Sequence, residues 1–305
     1  MSARRAPRRA LDGVLLLNKP RGISSQTAVT RVKNLFNAAK AGHTGTLDPM
    51  ATGLLPIALG ESTKFSSVLL DAGKSYLATV RLGQTTTTGD LEGDVTATLP
   101  VDVDLPLIEA VAARFRGEIV QTPPMYSALK HAGRPLYEYA REGTEIERAP
   151  RCVTIAALTI EAYAGTELRL AVACSKGTYI RVLAEDIGRA LGCGACLAGL
   201  VRTRVGRFDV GDAIDLDALG GLDEAAREAR LLPADAMLSE LPMVELDGPQ
   251  EQRILSGQAV EIGEKGPDGL LRLYGPQKAF LGVGTGTGGG RVEPRRLIAS
   301  KPGNG

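Results

Sequence analysis

A chain of 305 residues with 44% hydrophobic content is an ordinary soluble globular protein, with room for one large core or for one core and a small second domain. No apolar run approaches the length of a membrane span, and four cysteines do not make a disulfide framework in a chain this long, so a membrane-spanning or secreted disulfide-built protein is excluded and the cytoplasm is expected. The net charge of +1 hides a segregation: residues 209–251 carry twelve acids against Arg227 and Arg230, a net of −10 that leaves +11 elsewhere, which permits a basic face with an acidic back.

Arg4, Arg5, Arg8 and Arg9 mark residues 1–10 as a basic, disordered tail. The apolar run 14–17 is too short for a signal peptide, and Asn18-Lys19-Pro20 follows where a small-residue cleavage site would stand. Residues 13–17 are expected as a strand and 18–22 as a turn. Ser24 and Ser25 offer N-cap hydroxyls for a helix through about Phe36, with Val29, Val32, Leu35 and Phe36 on one face. Then comes Gly42-His43-Thr44-Gly45-Thr46-Leu47-Asp48-Pro49-Met50-Ala51-Thr52-Gly53, followed by an apolar run to Leu59 that reads as a buried strand. Glycines permit a tight turn and Pro49 fixes φ just after the acid, so Asp48 is expected on a rigid turn beside the core. Chemistry alone leaves two readings open: an Asx-turn that only shapes the loop, and a catalytic acid.

Those twelve residues closely resemble the catalytic signature of the TruB family of tRNA pseudouridine synthases, in which the Asp is catalytic. The opening strand, turn and helix are similar to the family's own, and the resemblance covers most of residues 11–297. It implies an α/β (α+β) fold with a mixed, mostly antiparallel central sheet flanked by helices, and a small C-terminal β-barrel of the PUA kind. The division it implies is a catalytic domain over 11–246, with an RNA-clasping segment inserted at about 124–151, and an RNA-binding domain over 247–305.

Further along, residues 62–70 are expected as a helix. Lys74–Leu82 alternates, which puts Tyr76, Ala78, Val80 and Leu82 on one face of a strand. Residues 85–90 form a polar loop and 107–115 a helix. Residues 151–163 and 167–174 read as strands. Tyr179 and Arg181, taken as extended backbone, face the same side, ahead of a helix over 182–191. The acidic stretch to about Leu246 is helical and connecting in character, and short strands follow at 259–262, 270–274 and 279–283. Cys193-Gly-Ala-Cys196 lacks a second ligand pair for zinc and the strand-then-helix context of a redox site, and reads as two small buried thiols. Gly284-Thr-Gly-Thr-Gly-Gly289 has the dinucleotide spacing but no helix after it, so it is read as a hairpin turn. No Walker A pattern exists.

Converting uridine to pseudouridine breaks N1–C1′, turns the uracil and joins C5 to C1′, with nothing added, lost or oxidised. It needs a carboxylate, a base for the C5 proton and a pocket that retains the freed uracil. The resemblance implies Asp48 as nucleophile or acid–base residue, Arg181 as the cation beside it, and Tyr76 as the aromatic that stacks on the base, with two readings open for its hydroxyl: acceptor of the C5 proton, or no part in the proton transfer. It implies Tyr179 and Leu200 against the base, His43 against RNA around a flipped nucleotide, and further substrate contacts by Lys19, Lys64 and Lys130. It implies uridine 55 in the T loop of tRNA as target, no cofactor, no metal, no obligate protein partner and a monomer. A catalytically dead RNA-folding protein and a hydrolytic glycosidase are the rivals. The intact Asp48, Tyr76 and Arg181 set disfavours the first, and the need for a second acidic carboxyl disfavours the other.

Overall fold

A computed structural model describes residues 7–298. A ten-stranded sheet carries the fold, in the order Ile214–Asp215, Gly13–Lys19, Thr52–Leu59, Ala195–Val205, Lys74–Leu82, Glu167–Cys174, Arg151–Ala164, Gly117–Gln121, with Ala41–His43 and Phe208–Asp209 paired off this path. Two junctions are parallel, Gly13–Lys19 with Ile214–Asp215 and Ala195–Val205 with Thr52–Leu59, and the other pairings are antiparallel. Thr52–Leu59 lies near the middle with every residue from Gly53 on buried, which is why its sequence is continuously apolar and does not alternate. Lys74–Leu82 does alternate: Ala78, Val80 and Leu82 are buried while Leu77 is exposed.

The Ser25–Leu35 helix is capped as its hydroxyls suggest. Ser24 Oγ accepts from the Thr27 amide, a contact worth about 1 kcal/mol, and Ala28, Val29 and Val32 face the core. Where a single helix was expected over 62–70, a 3-10 turn Gly60–Phe65 leads into a shorter α-helix Ser66–Asp71. The cause is local: Gly60 has φ 55° and the Thr63 hydroxyl bonds back to its carbonyl, which holds the first turn tight. The expected polar loop at 85–90 begins as a small hairpin, Gln84–Thr86 against Val95–Thr98.

Of the basic tail expected over residues 1–10, the described part is engaged at Arg9. The Arg9 amide donates to the Asn37 carbonyl, the Ala39 amide donates to the Arg9 carbonyl, and the Arg9 guanidinium pairs with Glu224 and Glu228 of the acidic stretch. Residues 1–6 lie outside the described residues. The acidic stretch is helical in part, with Leu216–Gly221 and Glu224–Glu228 as short helices.

At the C-terminus five strands form one antiparallel-rich sheet, Met243–Glu245, Asp268–Tyr274, Phe280–Thr287, Arg291–Leu297, Val260–Glu261, curled as half of a barrel. The glycine-rich segment is mostly strand and not a turn. Phe280–Thr287 runs through it, and the reversal comes at Gly288 and Gly290, both at positive φ. A Cβ at Gly286 would stand 2.0 Å from the Pro267 carbonyl oxygen, so these glycines serve close backbone approach. The sheet docks on the larger unit through the Phe65 and Phe280 rings, 5.6 Å apart, and through Val283, which shares a core with Leu16 and Leu54.

Candidate active site

The signature loop bridges two strands on one edge of the core, Ala41–His43 and Thr52–Leu59. Its backbone is held from three sides. Ser25 Oγ donates to the Leu47 carbonyl (2.9 Å) and accepts from the Leu47 amide (2.8 Å). The Gly22 amide donates to the Pro49 carbonyl (2.8 Å), and Lys19 Nζ reaches the Pro20, Ile23 and Pro49 carbonyls. Arg202 Nη1 and Nη2 donate to the Thr46 and Gly45 carbonyls. Asp48 thus sits on a rigid turn.

Arg181 donates from Nε to Asp48 Oδ2 at 3.0 Å, from Nη1 to the Thr88 carbonyl (2.8 Å) and from Nη2 to the Tyr126 carbonyl (2.6 Å). With its side chain 5% exposed against 37% for Asp48, the guanidinium is fixed by the protein while the carboxylate keeps an open side. Tyr179 and Arg181 do not share an extended strand. Tyr179 is the N-cap of the Ile180–Ala190 helix, so the chain turns between them, yet both line the cavity of about 320 Å³ beside Asp48. Tyr76 and Leu200, on the neighbouring strands Lys74–Leu82 and Ala195–Val205, line it too. The surrounding protein pushes the Tyr76 phenol pKa up, and Arg202 opposes that shift.

A second cavity of about 580 Å³ adjoins the first at Asp48 and is lined by His43, Lys130, Tyr137 and Arg141 among others. His43 Nδ1 accepts from the Gly45 amide (3.3 Å), and burial followed by nearby Arg202 lowers its pKa, which keeps the ring neutral with Nε2 as the remaining donor. Lys130 is exposed there.

Two expected substrate contacts stand elsewhere. Lys19 is fully buried, its ammonium spent on three carbonyls, and burial brings its pKa down to about 8 against the pull of Asp48 and Glu92; it supports the loop from beneath and lines neither cavity. Lys64 pairs with Glu61 and donates to the Leu297 carbonyl (2.9 Å), which places it at the seam with the C-terminal sheet. Four further residues belong to the site. Asp90, 4% exposed, faces Arg181 Nε at 3.6 Å. Gln121 holds both the amide and the carbonyl of Tyr179. Arg151 covers the Tyr179 ring at 4.9 Å, and Arg202 underlies the loop. Their residue types are common, and no local pattern in the sequence marks them as site residues. Cys193 and Cys196 are buried free thiols, and among the described residues no three His, Cys, Asp or Glu side chains converge as metal ligands.

Family models match in three contiguous parts: TruB family pseudouridylate synthase, N-terminal domain, over residues 33–180; tRNA pseudouridylate synthase B C-terminal domain over 181–239; and pseudouridine synthase II TruB, C-terminal, over 242–298. The chain is 53% identical over 291 residues to the tRNA pseudouridine synthase B of Methylobacillus flagellatus, covering 95% of this chain and 96% of that protein. It is 53% identical over 296 residues to the protein of the same name from Aromatoleum aromaticum, covering 97% and 96%. Among solved structures, an H/ACA ribonucleoprotein bound to a substrate RNA containing 2′-deoxyuridine has a chain that superposes with a TM-score of 0.72 at 26% identity, covering 95% of this chain and 86% of that one. The sequence signature, the sheet that carries it and the full-length likeness agree: the chain belongs to the TruB family of pseudouridine synthases.

Proposed function

We propose that this protein isomerises uridine 55 in the T loop of tRNA to pseudouridine. The observation that carries the reading is Asp48, held by Arg181 at 3.0 Å at the mouth of a cavity lined by Tyr76, Tyr179 and Leu200. Full-length relatives named tRNA pseudouridine synthase B support tRNA as the substrate, and the signature's resemblance supports position 55. A stacked uridine is out of reach of Asp48, so the nucleotide leaves its stack and enters the cavity. Asp48 is the nucleophile or acid–base group for breaking N1–C1′. The uracil turns between Tyr76, Tyr179 and Leu200, C5 joins C1′, and the C5 proton passes to a base while N1 gains one, so composition is unchanged.

The 580 Å³ cavity is the seat of the adjoining RNA, with Lys130 and Arg141 toward phosphate and His43 toward the flipped nucleotide. The C-terminal sheet adds RNA contact through Arg295 and Arg296, exposed on its Arg291–Leu297 strand. The protein acts in the cytoplasm as a monomer, without cofactor or protein partner. A glycosidase would require a second, solvent-reachable acid. Asp90, the buried acid beside Arg181, is not free for that role, being occupied by the Thr88 hydroxyl, the Glu92 amide and Arg181. Glu92 does line the larger cavity, so scoring free uracil separates the two reactions. The test is to incubate the purified protein with unmodified tRNA transcript and map pseudouridine. Modification at position 55 is expected, whereas modification at another uridine, or release of free uracil, would contradict the proposal.

A further inference from the structure

We propose that Arg202 is the positioning residue of this site: one buried guanidinium holds the arm of the loop that carries Asp48 and stands opposite Tyr76 in the sheet, tying together the two side chains that the reaction uses. This rests on the function proposed above.

Arg202 is 1% exposed. Nε donates to the Leu54 carbonyl (2.8 Å), Nη1 to the Thr46 carbonyl (3.3 Å) and Nη2 to the Gly45 carbonyl (3.1 Å). Among the described residues no carboxylate comes within ion-pairing distance of it. A buried cation without an acid costs stability, so its presence under a catalytic loop calls for a role beyond packing. The backbone is shaped to admit it. Gly53, the last residue of the signature, has φ 100°, and a Cβ there would stand 2.3 Å from the Arg202 carbonyl oxygen and 2.7 Å from its nitrogen. The signature's final glycine is therefore explained by the approach of the Arg202 backbone.

In the sheet Arg202 is the register partner of Tyr76. The guanidinium is a donor-only cation on the strand beside the phenol, and it favours phenolate over phenol against the opposing influence of burial, Cys174 and Asp48. The other ionisable groups near Arg202 are Lys19, Lys74 and His43. None of these supplies a negative charge, and Asp48 is the carboxylate that acts on Tyr76 in the opposite sense. The loop arm and the phenol share one fixed point, which sets the distance between carboxylate and base.

The experiment compares parent, Arg202→Met and Arg202→Lys in full-length protein, using single-turnover conversion of unmodified tRNA across about pH 6 to about pH 10, with tRNA affinity and thermal melting measured alongside. Arg202→Met is expected to bind tRNA within about threefold of the parent while converting it at least about 100-fold more slowly near neutrality, with the alkaline-rising limb of its profile displaced to higher pH. Arg202→Lys keeps the cation and is expected to keep the limb where the parent has it. A Met variant whose limb stays in place, or whose loss lies wholly in affinity, overturns the proposal. If the Met variant does not fold, the Lys variant decides: a rate within about tenfold of the parent supports the role of the cation, and a larger loss overturns it. A parent that makes no pseudouridine would sink the proposed function and this inference together, whereas a converting parent with the unfavourable variant results sinks this inference alone.

Discussion

At the scale of the residue, the roles proposed for Asp48 and Tyr76 differ, and so do the losses expected from replacing them. Asp48→Asn keeps the shape of the side chain and removes the charge that faces Arg181. Conversion of tRNA should be abolished with affinity within several-fold of the parent, read by single-turnover assay and filter binding. Tyr76→Phe keeps the ring and removes the hydroxyl. Loss of a general base costs about 10²–10⁴ in rate, whereas a lost stacking contact costs about 1–3 kcal/mol. The Phe variant should therefore bind normally and turn over far more slowly, and a variant within about threefold of the parent would leave stacking as the whole contribution. His43 carries a pH signature. Its folded pKa is below the ordinary imidazole value because of burial and then Arg202, so the unfolded chain takes up the proton first as pH falls. Its contribution to stability is complete above about pH 6.5 and is lost as pH drops through the lowered value. His43→Gln should flatten the fall in melting temperature between about pH 7.5 and about pH 5.5.

At the scale of the element, the clasping segment is a two-strand hairpin, Lys130–His131 with Arg134–Pro135, leading into the helix Leu136–Arg141. Its charges divide in role. Arg134 is engaged by Glu138 and Glu142 and lies over the Tyr139 ring at 4.7 Å, so it shapes the segment. Lys130 and Arg141 line the larger cavity and remain available to phosphate. Alanine at either position should weaken binding about equally across tRNA sequences and lower the slope of log affinity against log salt by about one. Arg134→Ala should act through the fold of the hairpin and leave that slope unchanged, which a salt titration of all three variants would separate. The segment anchors back to the sheet through Arg151, whose guanidinium covers Tyr179 and donates to the Gly177 carbonyl. The cavity beside Asp48 and the segment proposed to clasp RNA therefore share a side chain.

At the scale of the molecule, the C-terminal sheet, proposed above to contact RNA, is also part of the core. Phe280 and Val283 complete a core that includes Phe65, Leu16 and Leu54, and Lys64 bonds to the Leu297 carbonyl across the same seam. Ending the chain near Leu246 should weaken tRNA binding and reduce its salt dependence, since fewer counterions are released, while an isolated T stem-loop is still modified. Because the cut also bares apolar surface at Phe65, the melting temperature should fall as well, by about 2–8 °C for each 1 kcal/mol lost. An unchanged melting curve would mean that the seam contributes nothing to stability. The segregated charge also finds a structural use, since Arg9 of the basic end is held by Glu224 and Glu228 of the acidic stretch.

The sequence by itself determined what depends on short-range pattern. The apolar run 54–59 had to be a buried strand, the alternation of Lys74–Leu82 had to turn Tyr76 inward, and the Ser24 hydroxyl had to start a helix. The glycine-and-proline loop had to hold Asp48 stiffly, and its resemblance to a known signature identified the family. What only the tertiary structure decided are the partners brought in from a distance. Arg181 meets Asp48 across 133 positions of sequence, Asp90 joins them, and Arg202 reaches the Gly45 and Thr46 carbonyls from another strand. Lys19 and Lys64, which by type suit phosphate, are drawn instead to carbonyls and to Glu61. Tyr179 and Arg181 reach one cavity because a helix begins between them, and not because an extended strand turns them alike. The physical reason is the same in each case: periodicity and turn chemistry are set by neighbours a few residues away, whereas the partner of a long side chain is set by which strands lie side by side and in what register.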